Sequence, residues 1–233
     1  MIIMIKLNVA SNLHEIQQDI YEACEKVNRN PEEVNLIAVT KYVTMERAKE
    51  AVENGVTDLG ENRPEGLIEK KAEIGDKATW HFIGSLQSRK VKDIIDDVDY
   101  IHSLDRLSLA KEINKRANRV IKCFIQVNTS GEESKHGLEP EEVGKFIEDL
   151  HEYPNICVAG LMTMAPYIED ESALRKYFSS LRELRDEMQQ KQLEYAPCAY
   201  LSMGMSNDYK IAIEEGATHI RIGTKLVGSE LKR

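Results

Sequence analysis

The chain is short of cysteine, of basic charge and of long apolar runs, and each shortage closes off a class of protein. Four cysteines (Cys24, Cys123, Cys157 and Cys198) are scattered through 233 residues with no CxxC pair. Such spacing builds neither a disulfide framework nor a metal site, and it fits a reducing, cytoplasmic setting. Cys123 and Cys157 lie in apolar runs and read as buried thiols. Acidic residues outnumber basic ones, 40 to 31, for a net charge of −9, and no basic stripe stands out. Nucleic acid and anionic membrane are therefore not expected as partners, although a small anion needs only a few local donors. No segment reaches the ~18 apolar residues of a membrane span, and the apolar residues 1–5 are too few for a signal peptide. Long linkers and low-complexity segments are absent as well.

What is present is a regular alternation. With 42% hydrophobic residues, the length suits one domain with a substantial core. A first helix is expected over Asn12–Asn28, where Leu13, Ile16, Ile20, Cys24 and Val27 recur behind a Ser11/Asn12 cap. Strands are expected at Asn35–Thr40, Thr57–Gly60, Thr79–Ile83, Asp99–His102, Ile121–Val127, Ile156–Met162, Ala199–Ser202 and His219–Ile222. Helical patterns fall near 44–54, 64–75, 88–96, 105–118, 140–151, 171–190 and 207–215. In 171–190 the stripe Leu174, Phe178, Leu181, Leu184 and Met188 faces one way and charges face the other. Eight βα units with right-handed crossovers predict an α/β fold, a single closed (β/α)8 TIM barrel with an extra N-terminal helix. An open doubly wound sheet is the alternative.

The stretch 201–228, LSMGMSNDYKIAIEEGATHIRIGTKLVG, is where chemistry concentrates. A polar loop through Ser202, Gly204, Ser206, Asn207 and Asp208 leads to a short helix, then to a strand running into Gly223 and Thr224. At such loop-to-helix junctions, free N–H groups, a hydroxyl and the helix end hold a phosphate. Arg221 lies two residues before Gly223 and points to the same side. An ordinary glycine-containing turn with a surface arginine reads the same residues more plainly. If the barrel closes, strand one meets strand eight, and Lys41, at the end of LIAVTK, stands beside Arg221, Gly223 and Thr224. A lysine beside a phosphate site points to a Schiff base with a phosphorylated aldehyde, above all pyridoxal 5′-phosphate. The plainer reading of Lys41 is a solvated strand end. No metal ligand set is expected.

Polar groups at other strand ends compete with structural roles. Asn62 and Asn128 serve as helix caps in one reading, and His81 as a hydrogen-bonded core histidine. Taken together, LIAVTK, GEN at 60–62, HFIGSLQSRK at 81–90, VNTSGEESKHG at 127–137, GLM at 160–162, LSMGMSND at 201–208 and RIGT at 221–224 resemble the pyridoxal phosphate homeostasis protein family, in order and through nearly the whole chain. The resemblance implies a fold-type III barrel similar to the N-terminal domain of alanine racemase, with pyridoxal phosphate as a Schiff base on Lys41. It implies phosphate binding by Ser206, Gly223 and Thr224, and Arg221 facing the pyridine nitrogen. Asn62, His81, Ser202 and Met203, in matched motifs, complete the expected cofactor site. Arg89, where the family more often has Asn, and Pro64 and Gly66 depart from the pattern, which touches only the rim.

The implied role is a cofactor carrier or regulator, with dependent apo-enzymes as recipients and no catalytic residue. An arginine at the ring nitrogen keeps that nitrogen unprotonated and the ring a weaker electron sink. The chain ends at Arg233, after the eighth unit, so the second domain that bears a racemase's tyrosine base is not expected, and a monomer is. Tyr42 and Tyr209 read as packing residues. The alternatives are an amino-acid racemase using the same lysine, and a cofactor-free barrel binding another phosphorylated metabolite. Lys135, in the polar loop after strand five, is expected to be solvated, or to hold the cofactor in passing.

Overall fold

Alternation along each strand sets the architecture. In β8 (His219–Ile222) the sequence HIRI puts Ile220 and Ile222 on one face and His219 and Arg221 on the other, and all four are buried. Both faces are therefore covered, as a parallel sheet wrapped in helices requires. The computed structural model describes residues 8–132 and 136–229; Lys135 lies outside the described residues. Strands β1 (Asn35–Val39), β2 (Asp58–Glu61), β3 (Thr79–Phe82), β4 (Tyr100–Leu104), β5 (Ile121–Gln126), β6 (Ile156–Met162), β7 (Tyr200–Met205) and β8 form a closed parallel barrel. The closing register sets Ile37 opposite Arg221 and Ala38 opposite Ile222. The expected (β/α)8 barrel is what the chain forms.

After the N-terminal α1 (Val9–Lys26), the strands are followed in turn by α2 (Met45–Glu53), α3 (Pro64–Ile74), α4 (Val91–Ile94), α5 (Leu107–Arg116), α6 (Val143–Asp149), α7 (Glu171–Gln190), α8 (Tyr209–Glu214) and α9 (Thr224–Val227). The main apolar core lies between strands and helices: Trp80, Phe82, Ile101, Ile220 and Ile222 pack there with Leu67, Ile94 and Phe178. The interior of the barrel is different. Phe124 meets His102 at 4.4 Å and His219 at 5.2 Å between ring centroids, and His81 stacks on Tyr100 at 4.6 Å. Polar and aromatic side chains fill it, and that content decides where the sequence misleads.

The first helix begins at Val9, not Asn12, because buried Val9 extends the apolar stripe by one turn and Asn8 accepts from the Ala10 N–H as the cap. Asn12 instead donates to the Leu226 carbonyl at 2.9 Å and ties α1 to α9. Strand β7 runs three residues past Ser202, to Met205. Its serine and glycine look like loop residues, but Ser202 is fully buried against polar partners. The helix expected at 88–96 is a 3-10 turn, Ser88–Lys90, followed by the single turn of α4. Cys123 is buried and Cys157 only half-buried, and burial pushes both thiols up.

One glycine is demanded by packing. A Cβ on Gly160 would lie 1.9 Å from the Tyr200 carbonyl oxygen on the neighbouring strand. Gly160→Ala is expected to cost at least about 3 kcal/mol, the upper end of overpacking in a rigid core, read by urea denaturation. A loss under about 1 kcal/mol would show that β6 and β7 part without strain.

Candidate functional site

The strands' C-terminal ends open into a cavity of about 480 Å³, within the range of small-molecule sites. Lys41 and Tyr42 enter it from the turn after β1, Asn62 from the end of β2, and Ile83, Gly84 and Ser85 from the end of β3. Met164 follows β6, Met205, Ser206 and Asn207 close β7, and Arg221, Gly223 and Thr224 come from β8 and its turn. The structure thus gathers Lys41, Asn62, Ser206, Arg221, Gly223 and Thr224 around one space. His81, Ser202 and Met203 are not on its wall. Met203 is buried in the core outside the barrel, whereas His81 and Ser202 lie beneath the cavity floor, bonded to other side chains. Neither Asn62 nor Asn128 caps a helix by its side chain: Arg63 is the N-cap of α3, and Asn128 holds its own loop through the Glu132 carbonyl.

Lys41 is half-buried, its ammonium 5.0 Å from the centre of the Tyr42 ring. The turn that carries it is fixed from below. Buried Lys70, on α3, donates to the Thr40 carbonyl at 2.8 Å and to Glu61 at 2.7 Å, and the Thr40 hydroxyl donates to the same Glu61 oxygen at 2.6 Å. That arrangement explains Gly66: a Cβ there would sit 2.8 Å from the other Glu61 oxygen. Arg89, the second departure, is exposed and bonded to Gln87, away from the cavity. At the opposite wall, α9 is one turn long, so its contribution is the unpaired N–H groups of its first residues, not an extended dipole. Gly204, at a φ of +93°, brings β7 against α8, where a Cβ would meet Ala212 at 2.7 Å.

Arg221 is the charged group of the floor. It is 5% exposed, and it donates to the Ser202 hydroxyl at 2.5 Å and to the Thr163 carbonyl at 3.0 Å. Burial pulls its pKa down to about 10, still a cation at neutral pH. Tyr209, near the site in sequence, is 2% exposed and donates to Asp19 while accepting from Lys225 at 2.9 Å. Burial pushes it up to about 12, so it is no ready base. Sequence reasoning missed Met205 and Lys70; the first sits on strand read as loop, and the second resembles any lysine on an amphipathic helix. Among the described residues no cluster of metal-ligating side chains occurs, and no helix is long and apolar enough to cross a membrane.

Buried histidines give this core a pH dependence. Burial holds His102 well below the ordinary imidazole range and pulls His219 down to about 3. In the unfolded chain both bind protons near pH 6.5, so the folded-state pKa is the lower one. The stability they contribute is present above pH 6.5 and is lost as pH falls towards the folded values. Lowering pH from 7.5 to 5.5 is expected to cost about 3 kcal/mol for the two together, read from urea midpoints. Unchanged stability over that window would contradict their burial in neutral form.

Among proteins of known structure and sequence, the arrangement has clear counterparts. Residues 11–230 match the family model for the alanine racemase N-terminal domain, and an alanine racemase of Clostridium difficile shares the fold at 18% identity and a TM-score of 0.75, with 56% of its length covered. The fold and its cavity therefore define a barrel of the alanine racemase N-terminal class. The pyridoxal phosphate homeostasis protein of Aquifex aeolicus is 44% identical over 226 residues, 95% of this chain and 98% of the relative. That of Pseudomonas aeruginosa is 36% identical, covering 95% of each. PipY of Synechococcus elongatus PCC7942, solved with PLP bound, superposes with a TM-score of 0.82 at 32% identity, over 94% of this chain and all of its own. The chain belongs to the pyridoxal phosphate homeostasis protein family.

Proposed function

We propose that this protein binds pyridoxal 5′-phosphate in the barrel-top cavity and serves the intracellular supply of that cofactor. The observation that carries the reading is the meeting of Lys41 with Ser206, Gly223, Thr224 and Arg221 around one space, in a chain whose PipY relative holds PLP. The residues fit the group: an amine for an aldehyde, hydroxyls and N–H groups for a phosphate, and a cation for a ring nitrogen.

Lys41 would hold the cofactor, offering its amine to the cofactor's aldehyde for covalent attachment. Bound in this way, pyridoxal phosphate acts as an electron sink for bonds at an attached amine. Ser206 and Thr224 would donate hydroxyls to the phosphate, and Gly223 would let the backbone approach it closely. Arg221 would offer its free N–H groups to the pyridine nitrogen, and because a guanidinium keeps its protons, that nitrogen would stay unprotonated. Asn62, on the cavity wall, would border the ring. The site thereby favours retention over turnover. His81, Ser202 and Met203 support it from behind.

PLP-dependent apo-enzymes are the proposed recipients, the cytoplasm the proposed compartment and a monomer the proposed state. The racemase alternative is tested by offering a panel of L-amino acids to the loaded protein. No Lys41-dependent racemisation is expected; sustained turnover that vanishes in Lys41→Ala would overturn the carrier reading. A protein that stays colourless after expression with ample pyridoxal would overturn the cofactor itself.

A further inference from the structure

Five side chains run end to end through the barrel interior. Arg221 donates to the Ser202 hydroxyl at 2.5 Å, and Ser202 Oγ lies 2.9 Å from His102 Nδ1. His102 Nε2 lies 2.9 Å from His81 Nδ1, and His81 Nε2 lies 2.8 Å from the Asp58 carboxylate. Arg221 lines the cavity at one end, and Asp58 opens β2 at the other. Among the described residues, Arg221 has no ion pair with a carboxylate.

The two ends dictate everything between them. A guanidinium has donors and no acceptor, and an ionised carboxylate has acceptors and no donor. Asp58 is ionised: its bond to His81 holds it low against the opposing effect of burial. Ser202 accepts a hydrogen bond from Arg221, so its own hydroxyl donates to His102 Nδ1. The proton of His102 then sits on Nε2 and points to His81 Nδ1, and that of His81 sits on Nε2 and points to Asp58. In the reverse order an unprotonated His81 Nε2 would face a carboxylate and the Ser202 hydroxyl proton would have no acceptor. Among the described residues Ser103 Oγ is the one buried side-chain polar atom without a partner, so the chain leaves none orphaned. The rings are also held in plane: His81 stacks on Tyr100 with 8° between planes, and His102 on Phe124 with 26°.

We infer that Arg221, Ser202, His102, His81 and Asp58 form a one-way hydrogen-bond chain through the barrel, with Asp58, His81 and His102 as positioning residues for Arg221. Each link donates away from the cavity, so the dipoles add. The buried cation at the floor feels the field of Asp208, and Asp58, at the barrel's far end, reaches it through four hydrogen bonds instead of a direct contact. A direct ion pair would turn the guanidinium towards its partner. The relayed charge leaves its remaining N–H groups free for a ligand in the cavity.

The ring protons are the first test, and they need no cofactor. Long-range ¹H–¹⁵N spectra of the cofactor-free protein are expected to show the proton on Nε2 and a bare Nδ1 in both His81 and His102. A proton on Nδ1 of either ring would overturn the direction of the chain. The positioning role rests on the proposed cofactor and is tested separately. Asp58→Leu is expected to release pyridoxal phosphate about tenfold faster or more, the size of one hydrogen bond to a charged group. Asp58→Asn keeps an acceptor for His81 and is expected to recover most of that difference. Release from Asp58→Leu at the wild-type rate would overturn the positioning role while leaving cofactor binding intact.

Discussion

Lys41→Ala protein is expected to emerge colourless from expression that gives a yellow wild type. It loses the amine and keeps the rest of the cavity, so the phosphate contacts of Ser206, Gly223 and Thr224 still offer weak, reversible binding. Thermal unfolding separates the two kinds of binding. Pyridoxal phosphate at a hundred times its dissociation constant stabilises the wild type by about 2.7 kcal/mol, a shift of about 5–10 °C for a domain of this size. At the same ligand concentration most of that shift disappears in Lys41→Ala, while added inorganic phosphate competes equally in both proteins. A variant that keeps both colour and the full shift would move the covalent attachment away from Lys41.

The second large effect comes from beneath the lysine. Lys70 is 7% exposed and Glu61 1% exposed, and they meet at 2.7 Å with the Thr40 carbonyl as a third partner. Removing one member of a buried pair strands the other charge, at a cost of about 3–5 kcal/mol. Lys70→Met is therefore expected to lower the unfolding midpoint by about 10 °C. Because the Thr40 carbonyl belongs to the peptide that carries Lys41, the variant is also expected to bind the cofactor more slowly under conditions where it is folded. The double variant Lys70→Met with Glu61→Leu removes both charges and is expected to recover much of the stability but not the rate. Equal stability of Lys70→Met and wild type, measured in urea, would show that the pair is solvated and does not order the turn.

The difference between what was legible and what was not follows the two faces of the sheet. Outward positions carry isoleucine, leucine and tryptophan packed on helices, and their apolar runs announced every strand. The barrel itself brought Lys41 to Arg221, because a closed sheet must pair its first strand with its last. Inward positions carry histidine, serine, arginine and glycine, types that read as loop or surface in isolation. Hence the sequence pattern ends β7 at Ser202 while the strand runs to Met205, and it groups His81 with the ligand contacts while the ring is bonded to Asp58 and His102 beneath the cavity. Gly66 looked like a departure from pattern and is the space that Glu61 needs. Lys70 gave no signal, since a lysine on an amphipathic helix is ordinarily solvated and only the fold shows what it reaches.

The central claim is that Lys41 holds the cofactor, and borohydride tests it most directly. Reduction of the yellow protein fixes a carbon–nitrogen double bond as a stable amine, and peptide mapping then locates the added mass. The expected result is loss of the visible band and a single pyridoxyl modification on the peptide containing Lys41. Modification confined to another lysine, such as Lys135, or release of the reduced cofactor as the free alcohol with no mass added to the protein, would contradict it.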